Sequence, residues 1–125
     1  MPESIVIAAA RRTPIGGFQG IFSPVSATQL GSVAAAAALA DSGLAPDAID
    51  EVIFGCVLPA GLGQAPARQA AVGAGIAMSV PATTVNKMCG SGMKAVMLAA
   101  DQIRAGSARA ILAGGLESMT NAPYL

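Results

Sequence analysis

V-N-K-M-C-G-S-G-M-K-A-V-M-L-A-A-D-Q-I-R-A-G, residues Val85 to Gly106, is the stretch whose reading decides the architecture of this chain. It reads as the end of a buried strand (Ala82 to Asn86), a short turn with one cysteine among polar and glycine residues, and then a helix apolar over most of its circumference. Cys89 lies in that turn. Unpaired backbone N–H groups and the positive end of the peptide dipoles meet its sulfur there, and both favour a thiolate over a thiol. Gly90 and Gly92 have no side chains, so a substrate can approach the backbone closely and the turn has access to angles that a β-branched residue resists.

In the helix that follows, Met93, Ala95, Val96, Met97, Leu98, Ala99, Ala100 and Ile103 leave only a narrow polar strip of Lys94, Asp101, Gln102 and Arg104. A helix apolar nearly all round belongs inside a large protein or a membrane. At about 14 residues, with Lys94 and Asp101 inside it, this one falls short of the ~20 apolar residues that a spanning segment needs. The expectation is an internal helix covered on two sides.

The composition points the same way. Of the 125 residues, 54% are hydrophobic and only 11% charged, against about 25% charged in ordinary soluble domains. A single small domain exposes a large share of its area, so so apolar a chain is expected to hide much of its outside against a partner or a further part of the fold. Formal net charge is +0 and the seven basic residues are scattered from Arg11 to Arg109. That leaves no stripe for nucleic acid and no patch for an anionic membrane. Two cysteines, Cys56 and Cys89, and no secretory pattern at Met1-Pro2-Glu3-Ser4 lead us to expect a reducing, cytoplasmic setting without a structural disulfide. The chain has no histidine, so it cannot itself supply an imidazole base.

Outward from the centre, Ser4 to Ala10 (S-I-V-I-A-A-A) is a continuous apolar run, the pattern of a strand buried on both faces. Arg11 to Gly20 is punctuated by Pro and Gly as a loop, from which Arg12 can reach a carbonyl or a carboxylate. Thr28 to Ser42 is a helix with Ser26 or Thr28 as cap and Gly43 as stop, its alanines suited to close packing against a sheet. Pro46 to Asp50 turns into a second strand, Glu51 to Val57, in which Cys56 reads as a small buried hydrophobe. Pro59 to Gln64 is a loop at the strand edge where open α/β sheets bind ligands. Pro66 to Gly73 is a helix with proline in its first turn, and Arg109 to Gly115 is a fourth strand ending in a glycine pair. The G-x-G pairs at Gly61/Gly63 and Gly73/Gly75 do not complete a dinucleotide loop. Four strands alternating with three helices give an α/β fold, βαβαβαβ, with a mostly parallel sheet and right-handed crossovers.

Three segments together, N-K-M-C-G-S-G-M-K-A-V (Asn86 to Val96), A-G-G-L-E-S-M-T-N-A-P (Ala113 to Pro123) and R-R-T-P-I-G-G-F (Arg11 to Phe18), resemble the thiolases, acyltransferases that act on acetyl-CoA and 3-ketoacyl-CoA. The resemblance spans essentially the whole chain and concerns the first part of that family's N-terminal domain. It implies that residues 1–125 are an incomplete N-terminal domain, whose completed fold has αβαβα layers with the helix after the cysteine in the middle one. It implies that Cys89 is the nucleophile that accepts the acyl group and that its backbone N–H is one oxyanion donor. It further implies coenzyme A thioesters as substrates with no separate cofactor or metal, a homo-oligomer (dimer or tetramer) paired near the strand before Cys89, and a place in fatty acid metabolism. The family's water-positioning asparagine, its activating histidine and its second catalytic cysteine match no motif here, so the resemblance implies a thiolase cut short and inactive as this chain alone. Cys56 matches no such motif either. Alternatives are a non-catalytic thiolase-like subunit or lipid-binding module, a thiol redox protein (disfavoured because Cys56 and Cys89 form no C-x-x-C pair), and, among related enzymes, the ketoacyl synthases and hydroxymethylglutaryl-CoA synthase.

Overall fold

A computed structural model describes residues 4–125; Met1 to Glu3, part of the stretch read as carrying no secretory pattern, lie outside the described residues. In chain order come helix α1 (Ala27–Ser42), a single 3-10 turn (Pro46–Ala48), strand β1 (Glu51–Gly55), helix α2 (Pro66–Gly73), strand β2 (Ala82–Val85), helix α3 (Ser91–Arg104) and strand β3 (Ile111–Gly115). The sheet is parallel and three-stranded, in the order β2-β1-β3. No helix among the described residues is long and apolar enough to cross a membrane.

Strand β1 is central, and its alternation sorts the two faces. Val52, Phe54 and Cys56 point into a core built with α1 and α2, while Ile53 points the other way onto Ala95 and Ala99 of α3. Helices thus cover both faces of the sheet, as a parallel sheet requires. On α1, Ser26 is the cap: its hydroxyl accepts the Gln29 N–H while the Gln29 side chain accepts the Ser26 N–H, and Gly43 ends the helix at φ 71°. Ala35 of α1 joins the core with Val52 and Phe54 of the sheet, as its small side chain allows, while most of the helix packs against α2. Small residues make that possible, since a Cβ on Gly73 of α2 would lie 2.3 Å from the Ser32 hydroxyl.

One expectation is corrected. Ser4 to Ala10 forms no strand, so the sheet has three strands instead of four. A doubly buried strand needs neighbours to satisfy its backbone, and no backbone hydrogen bond joins this run to any described residue; Val6 and Ile7 are 75% and 78% exposed. Residues 4–125 cover helix α3 on one side, and the second cover expected for it from a partner or a further part of the fold is not among the described residues. Ser91, Ala95 and Ala99, four residues apart, face the sheet, whereas Met93 and Met97 on the other side are 73% and 50% exposed. The consequence is visible in the surface, 7676 Å², against about 6,100 Å² for a compact monomer of this mass.

Candidate active site

Strand β2 ends at Val85 and α3 begins at Ser91, and the five residues between them form a laced turn. Met88 takes the left-handed conformation, φ 49°. A non-glycine residue there costs about 1–3 kcal/mol unless its surroundings hold it. They do so through both of its backbone groups: Asn86 Oδ1 accepts the Met88 N–H at 2.9 Å, and the Ser91 hydroxyl donates to the Met88 carbonyl at 2.6 Å. Ser91 Oγ also accepts the Lys87 N–H at 2.8 Å, and Ser91 is buried. The expectation that glycine would supply the unusual angles is corrected, since Gly90 sits at φ −89° and Gly92 is not in the left-handed region either. The polar side chains flanking the cysteine constrain the turn tightly enough for methionine to carry the strain.

Cys89 follows Met88 and is exposed. Among the backbone bonds of the turn, Gly90 N–H donates to the Lys87 carbonyl, Ser91 N–H to Met88 and Lys94 N–H to Gly90; none of them uses the N–H of Cys89. The thiol stands one residue before the N-cap of α3, Gly90, which has no side chain to compete for the first amides. What brings α3 so close to the sheet is Gly55, the last residue of β1. A Cβ there would lie 2.5 Å from the Ser91 carbonyl carbon and Cβ and 2.8 Å from the Gly92 nitrogen.

A cavity of about 500 Å³ opens beside the thiol, and its walls include Cys56, Leu58, Met88, Cys89, Leu116, Glu117 and Met119. Most of that lining is apolar. Glu117 is the exception. Its carboxylate accepts the Val57 N–H (2.8 and 3.1 Å to its two oxygens) and the Leu58 N–H (3.2 Å to each), and the Cys56 thiol donates to it at 3.5 Å. Burial, then the charge and hydrogen bond of Glu117, push the Cys56 thiol up to about 11. Cys56 therefore stays protonated at neutral pH and is 2% exposed, in keeping with its reading as a buried small residue. Neither cysteine is in a disulfide.

Other residues singled out in the sequence form no hydrogen bond to this wall, although Arg11 and Arg12 border a second, smaller cavity with Leu116 and Glu117. Arg12 reaches only the carbonyl of its neighbour Thr13, at 3.1 Å, and Arg11 pairs with Asp41 at the end of α1. The loop Pro59 to Gln64 is tied back through the Gln69 side chain, which donates to the Leu62 and Gln64 carbonyls at 2.7 Å. Conversely, Asn86, Ser91 and Glu117 carry more of the geometry than sequence reading assigned to them. The available signals were modest: polar residues within three positions of the cysteine, and a carboxylate two residues beyond a strand that ends in a glycine pair.

An exposed thiol at a helix start, beside an apolar cavity and a free backbone donor, can attack an electrophilic carbonyl and hold the resulting acyl group. Comparison with known proteins bears on the family of the chain. Residues 5–125 match the family described as "Thiolase, N-terminal domain". The chain is 56% identical over 122 residues to acetyl-CoA acetyltransferase B, mitochondrial, of Xenopus laevis, covering 98% of this chain and 29% of that protein. It is 57% identical over 122 residues to acetyl-CoA acetyltransferase 2 of Arabidopsis thaliana, covering 98% and 30%. Among solved structures it superposes on Acat5 thiolase from Ascaris suum, crystallised in complex with coenzyme A, with TM-score 0.93, 44% identity, and coverage of 95% of this chain and 31% of that one. The chain thus spans about three-tenths of the length of these relatives.

Proposed function

Because this chain belongs to the thiolase family, we propose that it carries the acyl-accepting cysteine of a thiolase-type acyltransferase acting on acetyl-CoA or 3-ketoacyl-CoA. With acetyl-CoA, Cys89 gives its thiol proton to a base and its Sγ attacks the thioester carbonyl carbon. The carbonyl oxygen becomes an oxyanion, and the bond to the coenzyme A sulfur breaks, leaving S-acetyl-Cys89 and free coenzyme A. With 3-ketoacyl-CoA the attack falls on the 3-keto carbon and the C2–C3 bond breaks, releasing acetyl-CoA. The Cys89 N–H is one donor to the oxyanion, and a donor in that place is worth about 2.7 to 4 kcal/mol of barrier. The observation that carries the reading is the placement of an exposed Cys89 between the strained Met88 and the start of α3, on the wall of the 500 Å³ cavity.

Full turnover requires a base for the thiol proton and for the attacking acetyl group. The chain has no histidine, and on this reading the base belongs to a part of the fold outside these 125 residues, taken as an incomplete N-terminal domain. The bare face of α3 and the 7676 Å² of surface support such a completion. The same reading makes coenzyme A thioesters the substrates, with no separate cofactor. It gives a homo-oligomer, a dimer or tetramer, in which the open edge of β2 lies near the pairing surface. It implies a role in fatty acid metabolism, and the two free cysteines favour a reducing, cytoplasmic setting.

The test is intact-mass analysis of the natural protein after incubation with acetyl-CoA. One acetyl group on the natural protein and none on Cys89→Ala is the expected result; acetylation or normal turnover by Cys89→Ala ends the proposal.

A further inference from the structure

Glu117 is half-buried, lines the cavity and forms no ion pair among the described residues. Its charge is met instead by two consecutive backbone N–H groups, Val57 and Leu58, and by the Cys56 thiol. A carboxylate held this way is a strong clamp, because hydrogen bonds to an ionised acceptor are about twice as strong as neutral ones. The clamp acts on one peptide in particular. Val57 gives its N–H to Glu117 at 2.8 Å, and its carbonyl accepts the Asn86 side-chain amide at 3.4 Å. The other end of that amide, Oδ1, accepts the Met88 N–H at 2.9 Å. Met88 is the left-handed residue that precedes Cys89. A continuous polar chain therefore runs from the loop after β3, across the end of β1, to the turn after β2.

We propose that Glu117 is a positioning residue for Cys89, acting through Val57 and Asn86 to hold Met88 in the conformation that presents the thiol to the cavity. Glu117 touches neither Cys89 nor Met88. Its influence passes through the orientation of the Asn86 amide, which must offer oxygen to Met88 and nitrogen to Val57; the Val57 carbonyl enforces that choice, and Glu117 fixes the carbonyl by anchoring the N–H of the same residue. Glutamine at 117 would keep the size but turn a donor toward the Val57 and Leu58 N–H groups or the Cys56 thiol, so one end of the clamp would open.

The inference deepens the acyl-transfer reading of the same cavity, and two measurements separate the two. The first is hydrogen exchange at the Met88 amide of the natural protein and of Glu117→Gln, which needs no substrate. Exchange at Met88 in Glu117→Gln is expected to be about tenfold faster, as at Val57 and Leu58; an unchanged Met88 amide overturns the positioning role whatever acetyl-CoA does. The second is the rate of acetyl transfer from acetyl-CoA to Cys89 in Glu117→Gln, Asn86→Ala and the double variant. Each single change is expected to slow transfer about tenfold and the double variant to be no slower than the worse single one, as for two links of one chain. Multiplicative losses overturn the proposal. If acetyl-CoA leaves the natural protein unmodified, the acyl-transfer reading fails while the exchange result still decides this one. Glu117→Asp, which keeps the charge on a shorter arm, is expected to restore part of the Met88 protection, and it takes over the test if Glu117→Gln does not fold.

Discussion

Gly55→Ala sets two opposing effects against each other at the point where the cysteine-bearing turn meets the sheet. Gly55 is in a strand and has no positive φ, so alanine is conformationally acceptable and, by restricting the unfolded chain, should stabilise by about 0.4–1 kcal/mol. Space decides otherwise. The new Cβ would lie 2.5 Å from two Ser91 carbons, where ordinary contact starts at 3.4 Å, and the atoms it meets are mostly backbone that cannot swing aside. Relief requires the first turn of α3 to move away by about 1 Å, and overpacking of this kind costs about 1–3 kcal/mol. The same movement loosens the Ser91 bonds to Lys87 and Met88, at about 1 kcal/mol each. The net expectation is a loss of about 2–4 kcal/mol, or roughly 1 to 2 M in the urea midpoint at a slope of about 2 kcal/mol/M. Gly114→Ala on β3 is the control, because its Cβ would meet Phe54 at 3.6 Å, an ordinary contact; it should be neutral or slightly stabilising. Urea unfolding of both variants, paired with the rate of Cys89 alkylation, checks the argument. If Gly55→Ala proves as stable as Gly114→Ala and its thiol reacts normally, close approach of α3 to β1 is not what places the cysteine.

Other expectations are narrower. Iodoacetamide at about pH 8.5 should label Cys89 and spare Cys56, whose thiol is buried and pushed up to about 11; peptide mapping that finds Cys56 modified in folded protein contradicts the Glu117 contact. Ser26→Ala removes the capping box of α1 and should lower stability by about 1 kcal/mol in thermal or urea unfolding. Asp50 accepts the N–H groups of Arg109 and then Ala110, which hold its carboxyl below the ordinary 3.8. Its contribution is therefore present above that value and lost as pH falls below it. Acid unfolding followed by circular dichroism should show Asp50→Asn less stable near neutrality and its curve converging with the natural one below about pH 4; parallel curves would refute the linkage.

Element types could be read from pattern alone where the pattern answers to local rules. Pro66 opens α2, Ser26 and Gly43 bound α1, and the short apolar runs around Ile53, Val85 and Leu112 became the three strands. The limits of that reading share a cause. Ser4 to Ala10 has the composition of an interior strand, but composition cannot supply the neighbour that such a strand needs, and no described strand lies beside it. The alanines of α1 allow close packing without naming the partners, which proved to be chiefly α2 and, at Ala35, the sheet.

The exposed thiol was legible because a cysteine just before a helix is a matter of local chain order, carried by Cys89, Gly90 and Ser91. What holds it was not, because those contacts join residues distant in the chain: Glu117 reaches back 60 residues to Val57, and Asn86 reaches 29 to the same peptide. Hydropathy and periodicity describe one segment at a time, and so they identified a thiol at the start of an apolar helix. Only folding brought the ends of β1, β2 and β3 to one edge, where a carboxylate, an amide and a backbone without a Cβ at Gly55 together determine where that sulfur stands.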